Sequence, residues 1–181
     1  MEKLRFGVQL DCSRTAVKKV SEVKKFVDAV SKMGYNALYL YMEDTYEIEG
    51  EPYFGHLRGR FTASELKELD AYCDKKGVEL IPAIQTLAHL MRIFNWSVYK
   101  PLHDIDDIIV AGDEKTYALI DKMLATAAKC FKTRTINIGM DEALHLGLGE
   151  YLNRFGYEKR STILAKHLAR VSDLCKKHGL N

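Results

Sequence analysis

Long hydrophobic runs are missing from this 181-residue sequence. No apolar stretch approaches the roughly 20 residues that a membrane-spanning helix requires, so no such span is encoded. Charge of one sign is equally scarce. The 27 Lys and Arg residues against 25 Asp and Glu leave a formal net charge of +2, too little to point to nucleic acid or an anionic membrane as a partner. Cys12, Cys73, Cys130 and Cys175 are scattered and form no Cys-x-x-Cys pair. That argues against a zinc ribbon or a disulfide framework and for reduced, mostly buried thiols in a cytoplasmic protein. The opening Met1-Glu2-Lys3-Leu4-Arg5-Phe6 has no signal-peptide core and runs straight into a strand-like pattern. No glycine-rich phosphate loop follows the first strand, and no low-complexity tract or linker interrupts the chain. The expectation is a single domain over residues 1–181 with a sizeable core, needing no cofactor and no metal.

What is present is an alternation of strand and helix, four times over. Arg5 to Leu10 reads as a strand, and Val20, Val23, Phe26, Val27, Val30 and Met33 then recur at helical spacing up to Gly34. Ala37 to Met42 is a second strand. Thr62-Ala63-Ser64-Glu65 is a capping box that opens a second helix, whose apolar face is Leu66, Leu69, Tyr72 and Cys73. Val78 to Ile84 is a third strand, followed by a helix marked by Tyr117, Ile120, Met123, Leu124, Ala127 and Phe131. Thr135 to Met140 is a fourth strand, and Ile163, Leu164, Leu168, Val171 and Leu174 mark the last helix. Repeated strand–helix units imply a parallel sheet with right-handed crossovers. Tyr46 to Arg60 and Leu90 to Gly112 are long inserts between strand and helix.

Each strand delivers polar groups at its C-terminal end: Asp11, Ser13 and Arg14; Glu43 and Asp44; Gln85 and His89; Asp141 and Glu142. In a (β/α) barrel that face carries the active site, and a doubly wound sheet obeys a similar rule at its switch point. The segment Ile136-Asn137-Ile138-Gly139-Met140-Asp141-Glu142-Ala143 is the most pointed of these, an apolar run ending in two adjacent carboxylates. A buried strand does not hold bare charges, so the pair sits where the strand opens. Such a doublet suits acid/base work on a glycosidic bond, although an ordinary loop start accounts for the same residues.

The stretches Leu10-Asp11-Cys12-Ser13-Arg14, Leu40-Tyr41-Met42-Glu43-Asp44, Ile84-Gln85-Thr86-Leu87-Ala88-His89 and Ile138-Gly139-Met140-Asp141-Glu142-Ala143 resemble glycoside hydrolase family 20, the β-N-acetylhexosaminidases. The resemblance runs in order over essentially the whole chain. It implies an α/β fold of the parallel (β/α) barrel type, with four βα units that correspond to half of a TIM barrel, so that residues 1–181 are expected to be the N-terminal half of a (β/α)8 catalytic domain; a complete barrel takes about 250 residues. It also implies retaining, substrate-assisted hydrolysis of terminal β-linked N-acetylglucosamine or N-acetylgalactosamine from a glycan or glycoconjugate, an exception to the two-carboxylate scheme. By resemblance Glu142 protonates the leaving oxygen and later activates water. Asp141 orients the acetamido N–H, His89 with Asp44 as its acidic partner tunes Glu142, and Arg14 grips sugar hydroxyls.

A general acid must hold a proton near neutral pH, through burial or a neighbouring negative charge that Asp141 can supply. Both carboxylates reach one sugar only if the backbone leaves regular strand geometry there. The third loop departs from the family, reading Leu87-Ala88-His89 where many members carry Pro-Gly-His.

Plainer readings compete at each position. Arg14 suits an ion pair with Asp11, His89 a packing role, and the charged loop with Glu43, Tyr46, Glu47, Arg58 and Arg60 a solvated surface. Glu142-Ala143-Leu144-His145 has Glu-x-x-His spacing, a ligand pair in di-iron bundles, but occurs once and outside a bundle. Gly147-Leu148-Gly149 fits a turn or helix start better than a dinucleotide loop. A non-catalytic alternative is a half barrel whose exposed apolar face and strand edges pair two copies into a homodimer.

Overall fold

The computed structural model describes residues 4–14 and 17–181, so the reading of Met1 to Lys3 lies outside the described residues. Three parallel strands form one sheet in the order β1 (Gly7–Asp11), β2 (Ala37–Glu43) and β3 (Glu79–Ile84). Leu38 of β2 pairs with Val8 on one side and Leu80 on the other. The central β2 is buried along nearly its whole length, which is why its sequence is apolar without alternation.

Helices α1 (Val20–Lys32), α2 (Ala63–Lys75), α3 (Glu114–Cys130) and α5 (Arg160–Lys177) lie where the apolar periodicity predicts helices. The capping box of α2 is closed in both directions. The Thr62 hydroxyl accepts from the Glu65 backbone N–H, and the Glu65 carboxylate accepts from the Thr62 N–H. The short α4 (Glu150–Phe155) begins at Gly149, its cap, in keeping with the helix-start reading of Gly147-Leu148-Gly149. All four cysteines are free and buried. Among the described residues no helix is long and apolar enough to cross a membrane.

The fourth strand differs from expectation. Thr135 to Met140 makes one isolated bridge to β3, Ala83 with Asn137, instead of a strand. Its backbone still follows β3, through Asn137 N–H to Pro82 O at 3.0 Å, Ile84 N–H to Asn137 O at 2.9 Å and Thr86 N–H to Gly139 O at 3.1 Å. Regular pairing ends because Gly139 adopts φ 52° and gives its N–H to the Asn137 side chain. The four-unit half barrel thus becomes a three-stranded sheet with a loosely joined fourth segment.

Both long inserts are packed. Tyr46, Phe54 and Phe61 from the first, and Ile93, Tyr99, Leu102 and Ile109 from the second, join the main core. A second, smaller core of Leu87, Ala88, Ile108, Ala111, Leu146, Tyr151 and Ile163 lies under the loops that follow β3 and the fourth segment. Those loops therefore rest on a rigid base, as a site that must hold its geometry requires.

Candidate active site

At the C-terminal ends of the strands, Asp141 and Glu142 converge on one atom. His89 Nε2 stands 3.4 Å from Asp141 Oδ2 and 3.5 Å from Glu142 Oε2. The backbone leaves strand geometry as the adjacency of the two acids demands: Gly139 has φ 52° and Glu142 φ 55°. Gly139 is also needed for space. A Cβ there would fall 2.4 Å from both Ile84 O and Gln85 Oε1.

Gln85 is buried, and its amide spends both N–H groups, one on Asp141 Oδ1 at 3.0 Å and one on the Tyr41 hydroxyl at 3.1 Å. Tyr41 in turn donates to Glu43 Oε1 at 3.0 Å. The β2–β3 register shifts between Tyr41 and Glu43, a bulge that turns Glu43 into this network with φ 50°. Burial by itself would raise the Asp141 carboxyl, but the Gln85 amide and the nearby His89 outweigh it and hold Asp141 below the usual carboxylate range. Burial pushes the Tyr41 hydroxyl up to about 12, so it stays a donor at any physiological pH. Glu142 is different: its side chain is 74% exposed.

Arg14 lies on Asp11, Nη1 to Oδ2 at 2.8 Å, with its guanidinium 5.1 Å from the centre of the Tyr41 ring. Asp11 is raised by partial burial but held below its ordinary value by Arg14 and by the Ser13 and Arg14 backbone N–H groups. The ion-pair reading of Arg14 is thus realised. The Tyr41 ring that it lies beside lines a cleft of about 470 Å³ together with Gln9, Gln85, Asn137 and Asp141.

The expected pairing of Asp44 with His89 is not formed. Asp44 is buried, and its carboxylate lies 3.3 Å from Arg58, which also donates to Ser13 O at 2.8 Å. Burial pushes Asp44 up despite Arg58. The carboxylate beside His89 Nδ1 is Asp107, at 3.6 Å, and the same oxygen accepts the His89 backbone N–H at 3.0 Å. The solvated-surface reading of the Tyr46 to Arg60 loop also fails in part. Tyr46 is fully buried, Glu43 lies under Tyr41, and Arg58 is mostly covered.

His145 does not join Glu142 as a ligand pair, because its Nδ1 lies 2.5 Å from Asp106 Oδ2. Among the described residues no group of three or more His, Cys, Asp or Glu side chains is placed to hold a metal ion. Asp104, Asp106 and Asp107 had no role in the sequence reading. The available signal was three aspartates within four positions of a segment otherwise rich in isoleucine.

The geometry is matched by kinship. The family profile "Glycosyl hydrolase family 20, catalytic domain" matches residues 5–177. Hexosaminidase D of Homo sapiens is 23% identical over 159 residues, 86% of this chain and 32% of that protein. The beta-hexosaminidase subunit beta of Entamoeba histolytica is 27% identical over 161 residues, 75% of this chain and 28% of its own length. Among solved structures, the exo beta-N-acetylglucosaminidase of Vibrio harveyi, in complex with N-acetylglucosamine, superposes with a TM-score of 0.83 at 19% identity, over 97% of this chain and 34% of that one. The chain spans about a third of the length of the curated relatives it matches first. By the reach of the profile match, the chain belongs to glycosyl hydrolase family 20.

Proposed function

We propose that this chain carries the acidic doublet of a retaining, exo-acting β-N-acetylhexosaminidase that works on terminal β-linked N-acetylglucosamine or N-acetylgalactosamine. The observation that supports it best is the convergence of Asp141 and Glu142 on a single imidazole nitrogen at the mouth of a parallel sheet. Family membership supplies the reaction class. In this reading the substrate's own acetamido oxygen attacks the anomeric carbon and forms an oxazolinium-like intermediate. Asp141, kept ionised by the Gln85 amide, accepts the acetamido N–H and balances the positive charge. Glu142, its side chain largely exposed, gives its proton to the leaving oxygen and then takes one from water. Arg14 spends part of its donor fork on Asp11 and offers the rest to sugar hydroxyls.

The sheet is read as the N-terminal arc of a (β/α)8 barrel, so residues 1–181 supply one side of the sugar pocket, and slow or absent turnover is expected from this chain alone. The test is release of p-nitrophenol from the N-acetyl-β-glucosaminide and N-acetyl-β-galactosaminide, by the chain alone and by the chain supplied with the remaining units of such a barrel. Glu142→Gln in whichever form turns over should cut kcat by about 10²–10⁴-fold. An unchanged rate removes Glu142 from the role of acid, and robust turnover by a monomer of this chain overturns the one-sided pocket.

A second reading, self-association without catalysis, is favoured by one observation. Leu144, Leu148 and Leu168 are exposed around the loosely joined fourth segment. Light-scattering mass separates the two: a stable dimer supports pairing of copies through this face, and a monomer removes it.

A further inference from the structure

His89 is gripped from a direction that its family resemblance does not suggest. Three aspartates of one short segment reach three different parts of the site. Asp104 is buried and accepts the Gly147 N–H at 3.2 Å and the Tyr151 N–H at 2.7 Å. Asp106 holds His145, three residues beyond Glu142. Asp107 accepts the His89 N–H and lies beside its Nδ1. The backbones are joined as well, through Leu90 N–H to Asp107 O at 3.0 Å and Ile109 N–H to Leu87 O at 2.9 Å. Space is equally tight on the other side, where a Cβ on Gly149 would fall 2.3 Å from Asp104 O. One segment therefore ties the loop of His89 to the loop of Glu142.

The ring nitrogens of His89 then have distinct surroundings. Nδ1 meets Asp107 alone, while Nε2 is buried, makes no hydrogen bond and is directed at Asp141 and Glu142. The 3.6 Å at Nδ1 is longer than a closed hydrogen bond, while the backbone N–H of His89 reaches the same oxygen at 3.0 Å. Asp44, the partner that the resemblance implies, is occupied by Arg58.

We propose that Asp107 is the residue that positions His89 toward Glu142, by holding the ring hydrogen on Nδ1, and that Asp106 and Asp104 keep the Glu142 loop in register with it. The proposal rests on the hexosaminidase reading for its catalytic meaning, but its structural part does not. With the Nδ1 hydrogen held, Nε2 is the one ring atom that faces the doublet. It accepts a hydrogen bond from the protonated Glu142 carboxyl, or donates one when the ring carries a second proton. Asp107 is a positioning residue and touches no substrate atom.

The test is a long-range ¹H–¹⁵N correlation spectrum of the histidine rings in the labelled 181-residue chain, recorded where His89 is neutral. The wild type should show His89 with its hydrogen on Nδ1. Asp107→Asn and Asp107→Ala should shift it toward the Nε2 form, while Asp44→Asn should not. A wild-type Nε2–H ring overturns the proposal, as does an Nδ1–H ring that survives both Asp107 variants or is lost in Asp44→Asn. The wild-type spectrum decides alone if a variant does not fold. In the form that turns over the p-nitrophenyl substrates, Asp107→Asn should lower kcat by about 10-fold or more, with KM changed less than about 3-fold. Equal losses through KM would mean that Asp107 serves structure only. Absence of wild-type turnover would defeat the hexosaminidase reading and leave the spectral result standing.

Discussion

Where the strands begin, Arg5 closes on Glu79 at 2.9 Å, Lys132 closes on Asp74 at 2.6 Å, and the buried Asp70 accepts the Lys132 backbone N–H. Where the strands end, Asp141 and Glu142 share one imidazole nitrogen, and Gln85 Oε1 and His89 Nε2 are buried without a hydrogen-bond partner. The cleft at the first end is the larger, about 730 Å³ against 470 Å³ at the second. Size alone would pick the first end. Charges neutralised by close neighbours have nothing left to offer a ligand, whereas groups held by packing and short of partners do. The division agrees with the rule that the strand starts of such folds serve stability and the strand ends serve chemistry.

The contrast can be broken most severely at Gly139. Replacing it with Ala puts a methyl group against a backbone carbonyl at φ 52°, which should cost roughly 2–5 kcal/mol from overpacking and backbone strain together. The expected outcome is a melting temperature lower by about 5–15 °C. A drop of less than about 2 °C would show that Gln85 and the fourth segment are looser than they look.

His167 sharpens the contrast through pH. It is wholly buried, its Nε2 lies 2.9 Å from Thr86 O and its Nδ1 3.3 Å from the Tyr117 hydroxyl, so it pins the strand-end loop to α3 and α5. Burial lowers its pKa from 6.5 to about 4, so the fold holds it neutral and the unfolded chain takes up a proton sooner. Its contribution is complete above about pH 6.5 and is lost as pH falls toward 4, worth roughly 2–3 kcal/mol over that window. Chemical denaturation at a series of pH values should show this slope in the wild type and a shallower one in His167→Gln. Parallel slopes would refute the assignment.

The smallest effect is expected at the strand starts. Arg5→Ala removes a half-exposed ion pair and should change stability by less than about 1 kcal/mol, with any turnover unaltered. A larger loss of either would mean that this end is not merely structural.

The helices were legible in the sequence because each carries its own signal. Apolar recurrence marks α1, α3 and α5, and the capping box marks α2. The doublet and Gln85 were legible as polar groups at strand ends. The fourth segment was misread because a run such as Ile136 to Met140 looks like a strand even where Asn137 and Gly139 bend it away from pairing. The partner of His89 was misread for a different reason. Choosing between Asp44 and Asp107 depends on where Arg58 and the packed Leu90 to Gly112 insert fall in space, and no local spacing encodes that.

Glu43, His89 and Glu142 all hold left-handed backbone angles, at 50°, 57° and 55°. An L side chain at such an angle costs about 1–2 kcal/mol, and glycine would be comfortable there. Selection for heat resistance alone, blind to catalysis, would thus be drawn to replace these three residues with glycine. A hardier descendant obtained that way would melt later and would have lost two carboxylates and an imidazole from the strand ends.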